Sequence, residues 1–99
     1  MAEVKMAAVR AGERVWELPA DPDFARMNDS KLADLKNSGG RWGGAISAGL
    51  FVGAFVSGGK SWIHLDIAGT AYLEKAAHHL PEGATGVMVK TLAALFNAL

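Results

Sequence analysis

The sequence predicts an α/β fold with few strands, and three stretches carry that expectation. Trp62–Ala68 (WIHLDIA) alternates as a strand does. Ile63, Leu65 and Ile67 fall on one face, and Trp62, His64, Asp66 and Ala68 on the other. Ala45–Val56 is apolar except for Ser47, over a length that suits a buried helix. Val87–Leu99 places Met88, Leu92, Leu95 and Leu99 on one stripe, with Lys90 and Asn97 away from it, as in an amphipathic helix. The expected order is helix, extended piece, helix, buried helix, strand, helix, helix. One to three strands do not make a sheet with a stable interior, because a parallel-type sheet must be covered on both faces.

The helix at the N-terminus is expected over Ala2–Ala11. Val4, Ala7, Ala8 and Ala11 share one face, and Glu3, Lys5 and Arg10 lie elsewhere. No capping residue precedes it, as if its beginning were missing, and Gly12 is a natural stop. Glu13–Leu18 alternates weakly and reads as a short strand or an extended connector. Asp21 then supplies a capping carboxylate and Pro22 a pre-set φ, so a short helix runs to about Met27. Asp29–Lys36 is mixed, the start of a strand or a loop. Gly39–Gly44 (GGRWGG) is a glycine-rich loop into the apolar helix, where Ala45, Gly49 and Gly53 recur every four residues and give a smooth stripe for close packing. Ser57–Lys60 turns the chain into the strand. Thr70–Leu80 is expected to be a helix or a helical turn, carrying Glu74, Lys75, His78 and His79, and Pro81-Glu82-Gly83 ends it.

Composition bounds the function. The 99 residues are one domain or part of one. Hydrophobic residues make up 51% and charged residues 20%, more apolar than a free-standing domain of this length would normally be, as expected for a segment from inside a larger protein. Ten basic and ten acidic residues cancel, so nothing points to nucleic acid or an anionic membrane surface as partner. The apolar run is shorter than the roughly 20 residues a membrane span requires. There is no cysteine, which fits a reducing compartment, and the N-terminus lacks the apolar core of a signal peptide.

Local chemistry offers only incomplete sites. Gly59-Lys60-Ser61 looks like the end of a P-loop, but it follows a helix and precedes a strand, the reverse of what phosphate binding needs. A plain turn is the favoured reading. The GGRWGG loop, with Arg41, could expose backbone N–H groups to an anion, although a tight loop that lets the helix approach a sheet is the stronger reading. His64 and Asp66 share a strand face and could act as an acid–base pair, or as a polar pair holding the strand end. A metal site needs three or four ligands, and no further cluster supplies them. Hence no residue of this chain is assigned as catalytic or metal-binding.

Four blocks carry a resemblance. They are GERVWELP (Gly12–Pro19), DLKNSGGRWGGA with the helix after it, WIHLDIAGTAY, and GATGVMVKTL. In this order they closely resemble the C-terminal end of the cytosol (leucyl) aminopeptidases, from about Ala7 to Leu95. Departures from the family pattern are Ser38 in place of a larger apolar residue, Trp42 for a tyrosine and Lys90 for an arginine.

The resemblance implies a fold, an activity and a set of partners. The fold is the C-terminal part, about the last third, of a mixed-sheet, helix-flanked metallo-aminopeptidase catalytic domain, with residues 1–99 one partial domain. The enzyme would remove N-terminal residues from peptides, leucine favoured, in the cytoplasm and as a homohexamer. Two divalent metal ions, manganese or zinc, would activate a bridging water. Their ligands match segments upstream of this chain, so the fragment alone is expected to bind none and to be inactive. What carries over is substrate lining: Ala68 and Ala71 in the side-chain pocket and Ser38 at the next subsite. Ala71 replaces a bulkier side chain of some members. Alternatively, the chain is a non-catalytic binding module that complements a separate N-terminal piece or docks into an aminopeptidase hexamer. A stand-alone domain with an unrelated role is a third reading.

Overall fold

Helix α1 spans Ala2–Ala11, as its periodicity predicts. Val4, Ala7 and Ala8 are buried along its inner face, and Ala11 is half-buried. Gly12 ends it at φ 71°, a left-handed conformation that costs glycine little, and its N–H returns to Val9 O at 3.1 Å. The computed structural model describes residues 1–97. Leu99, expected on the stripe of the last helix, lies outside the described residues. The chain forms two compact units, one made of Met1–Trp16 with the described residues from Ile67 onward, the other Glu17–Asp66.

In the first unit α1 packs against α4 (Val89–Phe96). Glu13, just past the end of α1, makes the bonds that fix this pair. Its Oε1 accepts from Met88 N at 2.9 Å, and its Oε2 accepts from Thr91 N at 2.9 Å and from Thr91 Oγ1 at 2.6 Å. The opening N–H groups of a helix have no partner within it. Here a carboxylate from 75 residues away supplies one, with the sign that the helix dipole favours. Met88 sits at φ 67°, which costs a side-chain-bearing residue on the order of 1 kcal/mol. The Glu13 bond and burial of the Met88 side chain offset it. Thr91 is fully buried.

Between these helices in the sequence come two short strands, β1 (Tyr72–Leu73) and β2 (Gly83–Ala84), antiparallel with Tyr72 opposite Ala84 and Leu73 opposite Gly83. The helix expected over Thr70–Leu80 is therefore not formed. The segment carries β1 and then a tight turn, in which Ala77 and Leu80 exchange both backbone bonds at 3.0 and 3.1 Å around His78 and His79. His78 takes φ 55°, the positive value that primed hairpin turns need at their first central residue. Pairing with β2 and this turn use the backbone groups that a helix would have required.

In the second unit Asp21 caps α2 (Pro22–Ala25) by accepting from Asp23 N at 3.0 Å, and a 3₁₀ turn continues over Arg26–Asn28. Helix α3 covers Gly44–Gly53 and packs on α2. Asn28 Nδ2 donates to Ser47 O at 2.8 Å, and both residues are buried. Lys36 N donates to Asn28 O at 2.8 Å, so Asp29–Lys36 is a loop closed on Asn28. Glu13–Leu18 is an extended connector outside any strand. Gly59 turns at φ 81° between α3 and the irregular stretch after it, which favours the plain turn over a phosphate loop.

Two expectations for this unit are corrected. Trp62–Ala68 forms no strand. Alternation decides which face a side chain takes, but a ladder needs a neighbour, and among the described residues only β1 and β2 pair as strands. The apolar Ile63 and Ile67 are 41% and 38% exposed. Helix α3 is not buried either, as Ser47 is its one buried residue. Its small-residue stripe does serve close packing. A Cβ on Gly49 would come 3.4 Å from His64 Nδ1, and a Cβ on Gly53 would collide with the Trp62 ring. Ala45–Val56 thus receives Trp62 and His64 where a sheet or second helix was expected.

Buried hydrophobic side chains among the described residues are Val4, Ala7, Ala8 and Met88. Trp16 and Leu32 are 89% and 99% exposed. The 99-residue chain by itself is therefore expected to bind an apolar dye and to melt over a broad range. A sharp two-state transition without dye binding would contradict this.

Gly53→Ala should destabilise by about 1–3 kcal/mol through overpacking on Trp62. Gly44→Ala meets open space and should be neutral or slightly stabilising. Thermal midpoints of the two variants test the contrast.

Partial burial works against the Glu13 charge, but the bonds from Thr91 and Met88, with Lys90 nearby, outweigh it and hold the carboxyl below its ordinary value of 4.5. A carboxyl with a lowered folded pKa stabilises above the unfolded value, and that contribution disappears as pH falls through the folded one. Glu13→Gln is expected to lower stability at pH 7 by about 1–2 kcal/mol, since water partly screens these charge-assisted hydrogen bonds. The gap to the parent should close below about pH 4.5. Denaturant midpoints across pH 3–7 measure it.

Candidate functional site: a small-residue turn

The stretch Ser61–Tyr72 divides between the two units. His64 and Asp66 belong to one, and Ala68 and Ala71 to the other. After Ile67 the chain makes a turn over Ala68–Thr70. Thr70 closes it twice on Ile67 O, through its N–H at 2.9 Å and its hydroxyl at 3.3 Å. Ala68 is exposed and Ala71 half-buried, so the turn presents methyl-sized side chains.

Residues after β2 hold this turn from the other side. Thr85 N donates to Ala71 O at 2.9 Å, which extends the β1–β2 register by one position. Thr85 Oγ1 donates to Thr70 O at 2.7 Å and accepts from Val87 N at 3.3 Å. Met88, which Glu13 holds, is the next residue. A line of hydrogen bonds thus joins the turn, β2 and the start of α4. Sequence reasoning gave Thr85 and Glu13 no role, although both stand in blocks that carry the resemblance. A threonine or glutamate in a motif does not announce a partner 15 or 75 residues away.

Ser38 lies in the second unit, exposed beside Gly39. A Cβ on Gly39 would fall 2.9 Å from Ser47 Cβ and 3.1 Å from Asn28 Oδ1, so the backbone lies close to the base of α3. Ala68 opens the turn and Ala71 directly follows it, while Ser38 belongs to the other unit. In the glycine loop Gly43 takes φ 63° under the Phe24 ring, and Arg41 stacks over Trp42 at 5.2 Å.

His64 is half-buried against α3 at Gly49, a supporting position, while Asp66 is exposed. His78 and His79 form the exposed tip of the Ala77–Leu80 turn and not a helix face. Among the described residues no three His, Cys, Asp or Glu side chains gather where they could hold a metal ion, so the donor set does not fit a metal centre. Among the same residues no helix is long and apolar enough to cross a membrane.

Comparison with known proteins gives this geometry a family. The model of the cytosol aminopeptidase family, catalytic domain, matches residues 1–93. A probable cytosol aminopeptidase of Alkaliphilus metalliredigens is 47% identical over 98% of this chain and 19% of its own length. Another, of Treponema denticola, is 53% identical over 91% of the chain and 19% of its own length. The protein of the same name from Clostridium perfringens is 46% identical over 96% of the chain, again 19% of its own length. The chain therefore spans about a fifth of the length of these relatives. Matched over nearly all of its residues by the family model and by such relatives, the chain belongs to the cytosol aminopeptidase family, as a piece of its catalytic domain.

Proposed function

We propose that this chain is the C-terminal segment of the catalytic domain of a metallo-aminopeptidase that hydrolyses N-terminal residues, leucine favoured, from peptides. The observation that carries the reading is the family match over residues 1–93, made by a chain that spans only 19% of its relatives. In the complete enzyme the turn with Ala68 and Ala71 forms part of the substrate pocket wall, and Ser38 lines the next subsite. The mixed, helix-flanked sheet is completed by residues outside this chain. Exposed apolar side chains on α3 and around Ile63 and Ile67 support that, since they leave surface for further elements to cover.

The family implies divalent metal ions in the whole enzyme. We assign manganese or zinc to ligands outside these 99 residues, because the donor set here does not fit a metal centre. The working assembly is a homohexamer in the cytoplasm. The small share of the relatives' length also favours a second reading, in which the chain is a separate piece that complements an N-terminal part or docks into a hexamer.

Purified alone with manganese, the chain is expected not to cleave leucine p-nitroanilide. Joined to the upstream residues, or co-expressed with them, it is expected to support cleavage that a chelator abolishes. Restoration by co-expression of two separate chains would favour complementation. Hydrolysis by the isolated chain would overturn the assignment of the metal ligands to other residues.

A further inference from the structure

We infer that Thr85 is a positioning residue whose hydroxyl holds the Ala68–Ala71 turn in place and thereby sets how the enzyme discriminates between substrate side chains. This rests on the reading of Ala68 and Ala71 as pocket wall.

The side chains of the turn are small, it is largely exposed, and Thr70 closes it on a single carbonyl, Ile67 O, through its N–H and its hydroxyl. Small residues supply room for a ligand but little packing to hold the backbone still. Thr85 supplies what they lack. Its hydroxyl hydrogen goes to Thr70 O at 2.7 Å, and its N–H goes to Ala71 O at 2.9 Å. The last carbonyl of the turn and the one that follows it are thus bound by one residue. The same oxygen accepts from Val87 N at 3.3 Å, which ties Thr85 to the start of α4. There Glu13 holds the next N–H, that of Met88, at 2.9 Å.

Besides its local closure, the turn is therefore tied to the α1–α4 pair. The backbone N–H bond to Ala71 O is available to any residue but proline at position 85. The bond to Thr70 O needs a hydroxyl, which serine also provides and valine, of nearly equal shape, does not. A displacement of the turn by a fraction of an ångström moves the wall that a leucyl or phenylalanyl side chain meets. It does not touch the reacting atoms, so its effect falls on KM and on substrate preference.

The test uses the complete, manganese-loaded enzyme carrying Thr85→Val, Thr85→Ser and Ala71→Leu. Thr85→Val is expected to shift the ratio of kcat/KM for leucyl over phenylalanyl p-nitroanilide at least threefold, through KM. Amide exchange at Thr70 and Thr85 should quicken about tenfold. Thr85→Ser should keep the parent ratio and exchange rates. Should Thr85→Val fail to fold, Thr85→Ala is the hydroxyl-free variant and the same outcome is required. An equal loss on both substrates marks a merely structural role and overturns the assignment. So does an unshifted ratio in Thr85→Val while Ala71→Leu shifts it, an outcome that leaves the pocket reading intact. An unshifted ratio in both variants overturns the pocket reading, and the role of Thr85 with it.

Discussion

The Glu13 carboxylate is the contact on which the first unit depends. It accepts three hydrogen bonds from Met88 and Thr91 and so joins the end of α1 to the beginning of α4. Apolar burial alone would not specify that arrangement. Val4, Ala7 and Ala8 give α1 a smooth inner face with small side chains, which tolerates more than one register against a neighbour. A charged acceptor aimed at particular N–H groups does not. It also lets Met88 keep a left-handed conformation, which directs the chain from the strands into the helix.

β2 leads through Thr85 to the clamp, and the turn at Ala68–Thr70 is tied to Thr85. In the second unit the buried Asn28 and Ser47 are joined by one hydrogen bond at the base of α3, with the Gly39 backbone close by, while much of the apolar surface of that helix stays open. A catalytic-domain piece is expected to look like this. The Asn28 amide is closed on one side only: Nδ2 donates to Ser47 O, while its buried Oδ1 meets no donor among the described residues. Apolar faces can wait for partners, since partial exposure costs them only in proportion to area.

Much of the local structure was legible in the sequence. Four apolar positions gave α1 and Gly12 gave its end, and Asp21-Pro22 gave the start of α2. Four sequence blocks in fixed order carry the family resemblance. The segments around Trp62 and His78 were not legible. The alternation of Trp62–Ala68 describes a strand only when a neighbouring strand exists, and in this chain Trp62 and His64 lie instead on the glycine stripe of α3. Thr70–Leu80 has helix-compatible residues, and nothing local reveals that Tyr72 will pair with Ala84 or that His78 will take a positive φ.

The sequence by itself therefore determined the elements whose causes lie within a turn or two of chain: caps, stops, apolar periodicity, and the close-packing stripe of α3. It also determined family membership, through four blocks in fixed order. Tertiary structure alone decided the Glu13 clamp, the Thr85 anchor and the division of Ser61–Tyr72 between two units. The physical reason is range. A capping carboxylate two residues from its partner leaves a pattern in the sequence, as at Asp21 and Asp23. The same chemistry acting across 75 residues leaves none, because which N–H a carboxylate meets is fixed only when the helices that carry them have packed.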